Sequence, residues 1–212
     1  MADIAIVDYG MGNLRSVQQA LRSVAPNSSI VVTGDPREIV RATRVIFPGQ
    51  GAMPDCMREM DALGLRTAVL EAAHTKPFLG ICIGLQMLFE HSAEGNIPGL
   101  GILKGSVVRF AANLKDDQGN KLKVPHMGWN QVHHQTDHPM WDNIAQDARF
   151  YFVHSYYVQP QDSALVQATS DYPHPFACAV ARNNLFAVQF HPEKSQSAGL
   201  TLLRNFVGWA PV

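Results

Sequence analysis

Phe78-Leu79-Gly80-Ile81-Cys82-Ile83-Gly84-Leu85-Gln86 sets a cysteine between two glycines, each two residues away, where an apolar strand over 78–81 gives way to a helix expected over 82–90. This is the layout of a nucleophile elbow. Glycines at 80 and 84 remove the Cβ atoms that would collide in so tight a strand-to-helix turn. The cysteine is pushed out at the carboxyl edge of a sheet, where ligands of open α/β folds bind. It also heads a helix, whose unpaired N–H groups favour an anionic sulfur. The plainer alternative is a free cysteine packed as a small hydrophobe.

Outward from the elbow, the first half of the chain alternates apolar runs with helical patterns. Strands are expected at 4–7, 30–33 and 44–47. Leu14, Val17, Leu21 and Val24 recur at helical spacing behind Asn13 as a cap, Asp35-Pro36 opens a short helix, and 63–74 reads as another. Continuously apolar strands separated by helices imply a parallel sheet covered on both faces. From Gly105 onward the pattern changes to strand runs joined by turns, at 107–110, 131–134, 150–158, 164–168, 176–181 and 185–190, before a closing helix over 197–209. Residues 112–123 are polar and read as an excursion. With no repeat or long linker, the expectation is α/β: an open, mostly parallel twisted sheet flanked by helices, with antiparallel strands added in the C-terminal half, forming one domain over residues 1–212.

Across 212 residues, 17 basic and 18 acidic side chains leave a formal charge of -1, so no footprint for nucleic acid or an anionic membrane exists. Charged residues make up 17%, below the usual level of about 25%. That shortage implies either a large core or apolar surface covered by a partner. The start carries Asp3 and Asp8 where a secretory signal would be basic, and the longest apolar-plus-glycine stretch, 78–85, is far short of the roughly 20 residues of a membrane span. Three widely spaced cysteines fit a reducing compartment, and a cytoplasmic protein is expected.

A sulfur nucleophile needs a proton carrier, and the carrier needs an orienting acceptor. Phe190-His191-Pro192-Glu193 supplies both, because a proline that fixes φ lets the Glu193 carboxylate turn back to the imidazole. His191-x-Glu193 as half of a zinc site would need a P-C-x-x-C partner, which the sequence lacks, so no metal or other cofactor is expected. Charge developing on the attacked oxygen requires donors. The Ile83 N–H, next after the cysteine, offers one, and Pro48-Gly49-Gln50-Gly51 follows its strand to the same edge, making Gln50 and Gly51 the other candidates. His133, His134 and His138 do not share a helical face and read as solvated, and Cys56 and Cys178 as packing residues.

Three separated motifs, Pro48-Gly49-Gln50-Gly51, Gly80-Ile81-Cys82-Ile83-Gly84-Leu85-Gln86 and Phe190-His191-Pro192-Glu193, together resemble the class I (triad) glutamine amidotransferases. Within that family the chain is similar from end to end to the branch whose ammonia goes to a cyclase making imidazole glycerol phosphate and AICAR in histidine biosynthesis. Asp8-Tyr9-Gly10-Met11-Gly12-Asn13-Leu14, Pro125-His126-Met127-Gly128-Trp129-Asn130, Tyr151-Phe152-Val153-His154-Ser155-Tyr156 and Lys194-Ser195 carry that closer likeness. Ile83 and Leu85 stand where leucine and methionine are usual, and Gln50 where valine is common. The first two keep the chemistry; Gln50 bears on how the oxyanion hole closes.

The resemblance implies that Cys82 attacks the side-chain amide of glutamine, with His191 as proton carrier and Glu193 as its orienter. It implies glutamine-binding positions at Gly49, Gly51, Gln86, Ser155 and Tyr156, and a structural role for His154. Free ammonia in neutral water becomes mostly ammonium, so the product needs a dry route to an acceptor, and the sequence has neither a P-loop nor a G-x-G-x-x-G to hold one. The family places that acceptor on a (β/α)8-barrel cyclase subunit, giving a heterodimer. Met11, Asn13, Met127, Trp129, Tyr151 and Lys194 are the candidate docking residues, with ordinary core packing as their alternative. Another class I glutaminase, of anthranilate or pyridoxal phosphate synthesis, and a non-catalytic binding module are the rival readings. Met127-Gly128-Trp129-Asn130 and Lys194 weigh against the first, and an intact Cys82, His191 and Glu193 against the second.

Overall fold

Four consecutive buried residues, Ile4–Val7, form β1, and their apolar side chains leave neither face of the strand to water. The computed structural model, which describes residues 2–116 and 118–211, continues with α1 (Leu14–Val24), β2 (Ile30–Thr33), α2 (Pro36–Arg41), β3 (Arg44–Gly49), α3 (Met53–Ala62), α4 (Arg66–Thr75), β4 (Phe78–Cys82) and α5 (Ile83–Gln86). The second half adds β5 (Phe89–Ser92), β6 (Ile97–Pro98), β7 (Leu103–Arg109), β8 (His126–Gln131), β9 (His133–His134), β10 (Arg149–His154), β11 (Tyr156–Pro160), β12 (Val166–Asp171), β13 (Pro175–Arg182), β14 (Leu185–Val188) and α6 (Gln196–Gly208).

One large sheet runs β2-β1-β3-β4-β14-β13-β11-β7-β5-β6. From β2 through β14 every neighbour is parallel, and from β14 to β13, β11 and β7 the pairing turns antiparallel. A separate antiparallel ribbon, β8 with β10, stands beside it. The fold class expected from the alternation of apolar runs and helices is therefore the one observed. α1 buries Val17 and Leu21, which contribute about 2 kcal/mol each by leaving water. The Asp35 carboxylate caps α2 by accepting from the Arg37 N–H at 2.9 Å, with Pro36 in the first turn.

Several local expectations are corrected. The helix expected over 82–90 stops at Gln86, because Phe89–Ser92 pairs with β7 as β5, and an irregularity between Phe89 and His91 lets Phe89 and Ser92 both turn inward while Glu90 and His91 face water. α3 has no counterpart among the expected elements; it buries Met53, Cys56, Met57 and Met60 on one face with Pro54 in its first turn. The helix read over 63–74 begins only at Arg66, after the turn at Gly64. The run over 150–158 breaks at Ser155 into β10, which pairs with β8, and β11, which joins the main sheet. Asn13 precedes α1 without a side-chain cap bond. Residues 112–123 form the expected excursion, drawn together by a bridge between Lys115 and Lys121; Asp117 within it lies outside the described residues.

His133, His134 and His138 are half-buried rather than solvated. His133 pairs with Asp147 at 2.6 Å, His134 stacks on Trp141 at 4.3 Å between centroids, and His138 packs on Phe186 at 4.9 Å. Among the described residues no cluster of His, Cys, Asp and Glu is arranged to hold a metal, and no helix is long and apolar enough to cross a membrane.

The elbow depends on its glycines through close packing. A Cβ on Gly84 would sit 1.8 Å from the Phe47 carbonyl oxygen, and one on Gly80 would sit 2.9 Å from the Ala187 Cβ. Gly84→Ala must push α5 off β3, and a loss of about 3 kcal/mol in unfolding free energy is expected from urea denaturation. A loss under about 1 kcal/mol would show that the elbow is not packed this tightly.

Candidate active site

β3, β4 and β14 lie side by side, and their register puts Gly49 opposite Cys82 and Val188 opposite Ile81. The chain leaving β14 runs through Gln189 and Phe190 to His191, so residues distant in sequence reach one edge of the sheet. Cys82 itself has φ +56° and ψ −110°, backbone strain on the order of 1–3 kcal/mol that the flanking packing must hold. Its side chain is 4% exposed and lines a cavity of about 440 Å³.

His191 lines the same cavity. Its Nδ1 lies 2.9 Å from Glu193 Oε1, and both side chains are buried. Pro192 starts a short 3-10 turn, Pro192–Lys194, which brings the carboxylate back to the ring. Burial alone would lower the imidazole, but the Cys82 sulfur and the Glu193 carboxylate outweigh it and hold His191 up at about 10. Nε2 is buried without a hydrogen-bond partner among the described residues. At neutral pH that leaves the ring protonated on both nitrogens, Nδ1 toward Glu193 and Nε2 with a proton to give. Cys82, His191 and Glu193, proposed from two separate motifs, are thus brought together.

Ile83 is the first residue of α5, so its N–H has no intrahelical partner. Gln50 and Gly51 both line the cavity. The Gln50 carbonyl accepts from Cys56 Sγ at 3.5 Å, which turns the Gly51 N–H of the same planar peptide the opposite way. Gly49 is buried beneath the Tyr9 hydroxyl and Ile83 and sits behind the cavity wall, not on it. Gln86, Ser155 and Tyr156 line the cavity.

His154 is buried and makes its Nδ1 bond to the Tyr156 carbonyl at 2.8 Å. A carbonyl only accepts, so His154 carries its proton on Nδ1, and Nε2 accepts from His126 Nδ1 at 3.0 Å. His126 Nε2 in turn accepts from Asn130 Nδ2 at 3.3 Å. Both rings are committed as neutral bridges, and burial lowers His126 to about 4 and His154 to about 3. This fits a structural His154.

Two residues of the site had no place in the sequence reading. Glu94 lines the cavity while accepting from the Met53 N–H at 2.8 Å; nothing in its polar loop marks it. Gln189 is fully buried and its Nε2 lies 3.8 Å from Cys82 Sγ. Its signal was present, as the one amide interrupting the apolar run 185–190.

Among the candidate docking residues, Met127 is 62% and Trp129 42% exposed, too open for ordinary core packing. Trp129 pairs with Tyr151 across the β8–β10 ribbon, edge to face at 6.2 Å, and Lys194 Nζ lies over the Tyr151 ring at 5.9 Å. The ribbon's other face carries the buried Phe150, Phe152 and His154. Met11 and Asn13 are half-buried, with the Met11 methyl against Gly51. Ser195 links the patch to the site: its hydroxyl accepts from the Tyr151 N–H at 2.9 Å and donates to the His191 carbonyl at 2.6 Å, while the His191 N–H donates to the Tyr151 carbonyl at 2.9 Å.

The sequence profile of the family described as glutamine amidotransferase class-I matches residues 5–209. The chain belongs to the class I glutamine amidotransferases. Among its relatives in this family, imidazole glycerol phosphate synthase subunit HisH of Nitrosospira multiformis is 66% identical over 213 residues, covering 100% of both chains. The subunit of the same name from Aromatoleum aromaticum is 64% identical over 212 residues, again covering 100% of both. A crystal structure of a glutamine amidotransferase superposes with a TM-score of 0.73 over 98% of this chain and 100% of that one, at 15% identity, a likeness of fold alone.

The raised His191 carries a sign. Its charged form stabilises the folded chain fully below the ordinary value near 6.5, and that contribution is lost as pH rises through about 10. Glu193→Gln keeps the shape and removes the charge. Its imidazole should titrate at least about one unit lower by NMR, and its stability deficit should stay level up to that lowered value and vanish as pH rises from there through about 10. An unmoved titration would contradict the pairing.

Proposed function

We propose that this chain, as one domain over residues 1–212, hydrolyses glutamine through a cysteinyl thioester and passes the ammonia to a cyclase subunit. The observation that carries the reading is the convergence of Cys82, His191 and Glu193 at one cavity in a class I amidotransferase whose full-length relatives are synthase subunits.

A cavity of about 440 Å³ suits a free amino acid. Glu94 on its wall offers a carboxylate to the substrate's α-ammonium, and Gln86 Oε1, without a partner among the described residues, an acceptor. Cys82 Sγ bonds to the side-chain carbonyl carbon of glutamine. The N–H groups of Ile83 and of Gln50 or Gly51 take the charge that builds on oxygen, a role in which one donor is worth about 3 kcal/mol. His191 gives its proton to the departing nitrogen, so the C–N bond breaks and ammonia leaves. His191 Nε2 then takes a proton from water, which attacks the thioester, releases glutamate and returns the sulfur. Glu193 holds the ring in one tautomer throughout.

The exposed Met127 and Trp129, with Tyr151 and Lys194 beside them, support docking of a (β/α)8-barrel cyclase next to the cavity, forming a heterodimer that makes imidazole glycerol phosphate and AICAR in the cytoplasm. Lys194, over the Tyr151 ring, is placed to meet a carboxylate there. The chemistry calls on no cofactor.

The test uses the chain co-purified with its cyclase. Cys82→Ser should lower glutamine-dependent ring closure by at least about a thousandfold, while ammonium salt at alkaline pH still supports the cyclase. Retained glutamine-dependent activity would exclude Cys82 as nucleophile, and loss of the ammonia-dependent reaction would show a damaged complex.

A further inference from the structure

Gln86 Nε2 donates to the Tyr156 carbonyl at 3.0 Å and to Gln189 Oε1 at 3.1 Å. The first of these bonds fixes every orientation after it. A backbone carbonyl accepts only, so the Gln86 amide must turn its NH2 toward Tyr156. The second hydrogen of that NH2 then points at Gln189, which must answer with its oxygen, and the Gln189 NH2 is left facing Cys82 Sγ at 3.8 Å. Gln189 is fully buried, Gln86 is 1% exposed, and the Gln189 backbone N–H is held by the Cys178 carbonyl at 2.8 Å. Neither amide is free to flip without breaking a buried bond.

From this directed chain we propose that Gln189 is a donor to the nucleophilic sulfur, steadying its anionic form. The inference rests on the reading of Cys82 as nucleophile. It explains why an amide occupies the end of a buried apolar strand: a carboxylate would oppose the sulfur's charge, and an aliphatic side chain would leave Gln86 without its acceptor. It also divides the residue's two ends. The oxygen supports Gln86 and through it glutamine binding, while the NH2 serves the sulfur.

The test separates those ends. In the full-length chain, alkylation of Cys82 by uncharged iodoacetamide at neutral pH is followed on the Cys82 peptide by mass spectrometry, and glutamine kcat and KM are measured in the cyclase complex. Gln189→Glu still accepts from Gln86 but has no NH2 for the sulfur; Gln189→Met has neither. Gln189→Met should slow alkylation about tenfold, the value of a hydrogen bond to a charged group, and Gln189→Glu by at least as much, because its carboxylate also opposes the sulfur's charge. Only Gln189→Met should also raise KM, while Gln189→Glu loses kcat alone. Should the Met variant fail to fold, the Glu variant carries the test. Gln189→Glu alkylated at the wild-type rate would overturn the proposal and leave Gln189 as a prop for Gln86. A wild-type Cys82 that reacts no faster than a cysteine in a short peptide would overturn the nucleophile reading, and this inference with it.

Discussion

The parallel pairing of β4 between β3 and β14 is the constraint on which the site depends. It is a backbone register, so it fixes positions to within a residue: a slip by one would turn Cys82 to the other face of the sheet. Given that register, the loop after β3, the elbow after β4 and the turn after β14 arrive at one edge. The helices on either side bury the apolar faces of these strands, and residues 4–7, 78–82 and 185–188 expose almost nothing. The strain at Cys82 is sustained by that surrounding packing, above all by glycines that let Gly84 pass against the Phe47 carbonyl.

The parallel half of the fold was legible because buried parallel strands are continuously apolar and their helices carry caps and periodicity, as Asp35-Pro36 and Leu14, Val17, Leu21, Val24 do. What escaped was decided by tertiary pairing. Met87 to Ser92 could extend a helix by propensity, but the inward Phe89 and Ser92 pair with β7 instead. Phe150 to Val158 is one apolar run on paper and two strands of different sheets in space. Around the cavity, Cys82, His191 and Glu193 were readable because their chemistry demands particular residue types in a particular order. Glu94 was not, since a carboxylate in a polar loop looks like any solvated one.

The ribbon of β8 and β10 gives the proposed docking face a direct mechanical route to the site. Tyr151 lies under Trp129 on the outer face, and its backbone is tied to His191 by one bond of its own and by two more through the Ser195 hydroxyl. On the other side, the Met11 methyl rests against Gly51 of the candidate oxyanion segment. A partner pressing on Met127, Trp129 or Met11 therefore bears on groups one residue from the reacting atoms. Two exposed large apolar side chains on one ribbon are a liability in an isolated chain and a fit for a covered one.

The most direct measurement is a double-mutant cycle on kcat/KM for glutamine in the cyclase complex, with His191→Asn, Glu193→Gln and the pair together. If Glu193 acts only through the imidazole, the double variant will be no slower than His191→Asn alone, the two losses failing to add. Losses that add in full would mean that the carboxylate and the imidazole work separately, and the account of Cys82, His191 and Glu193 as one unit would be wrong.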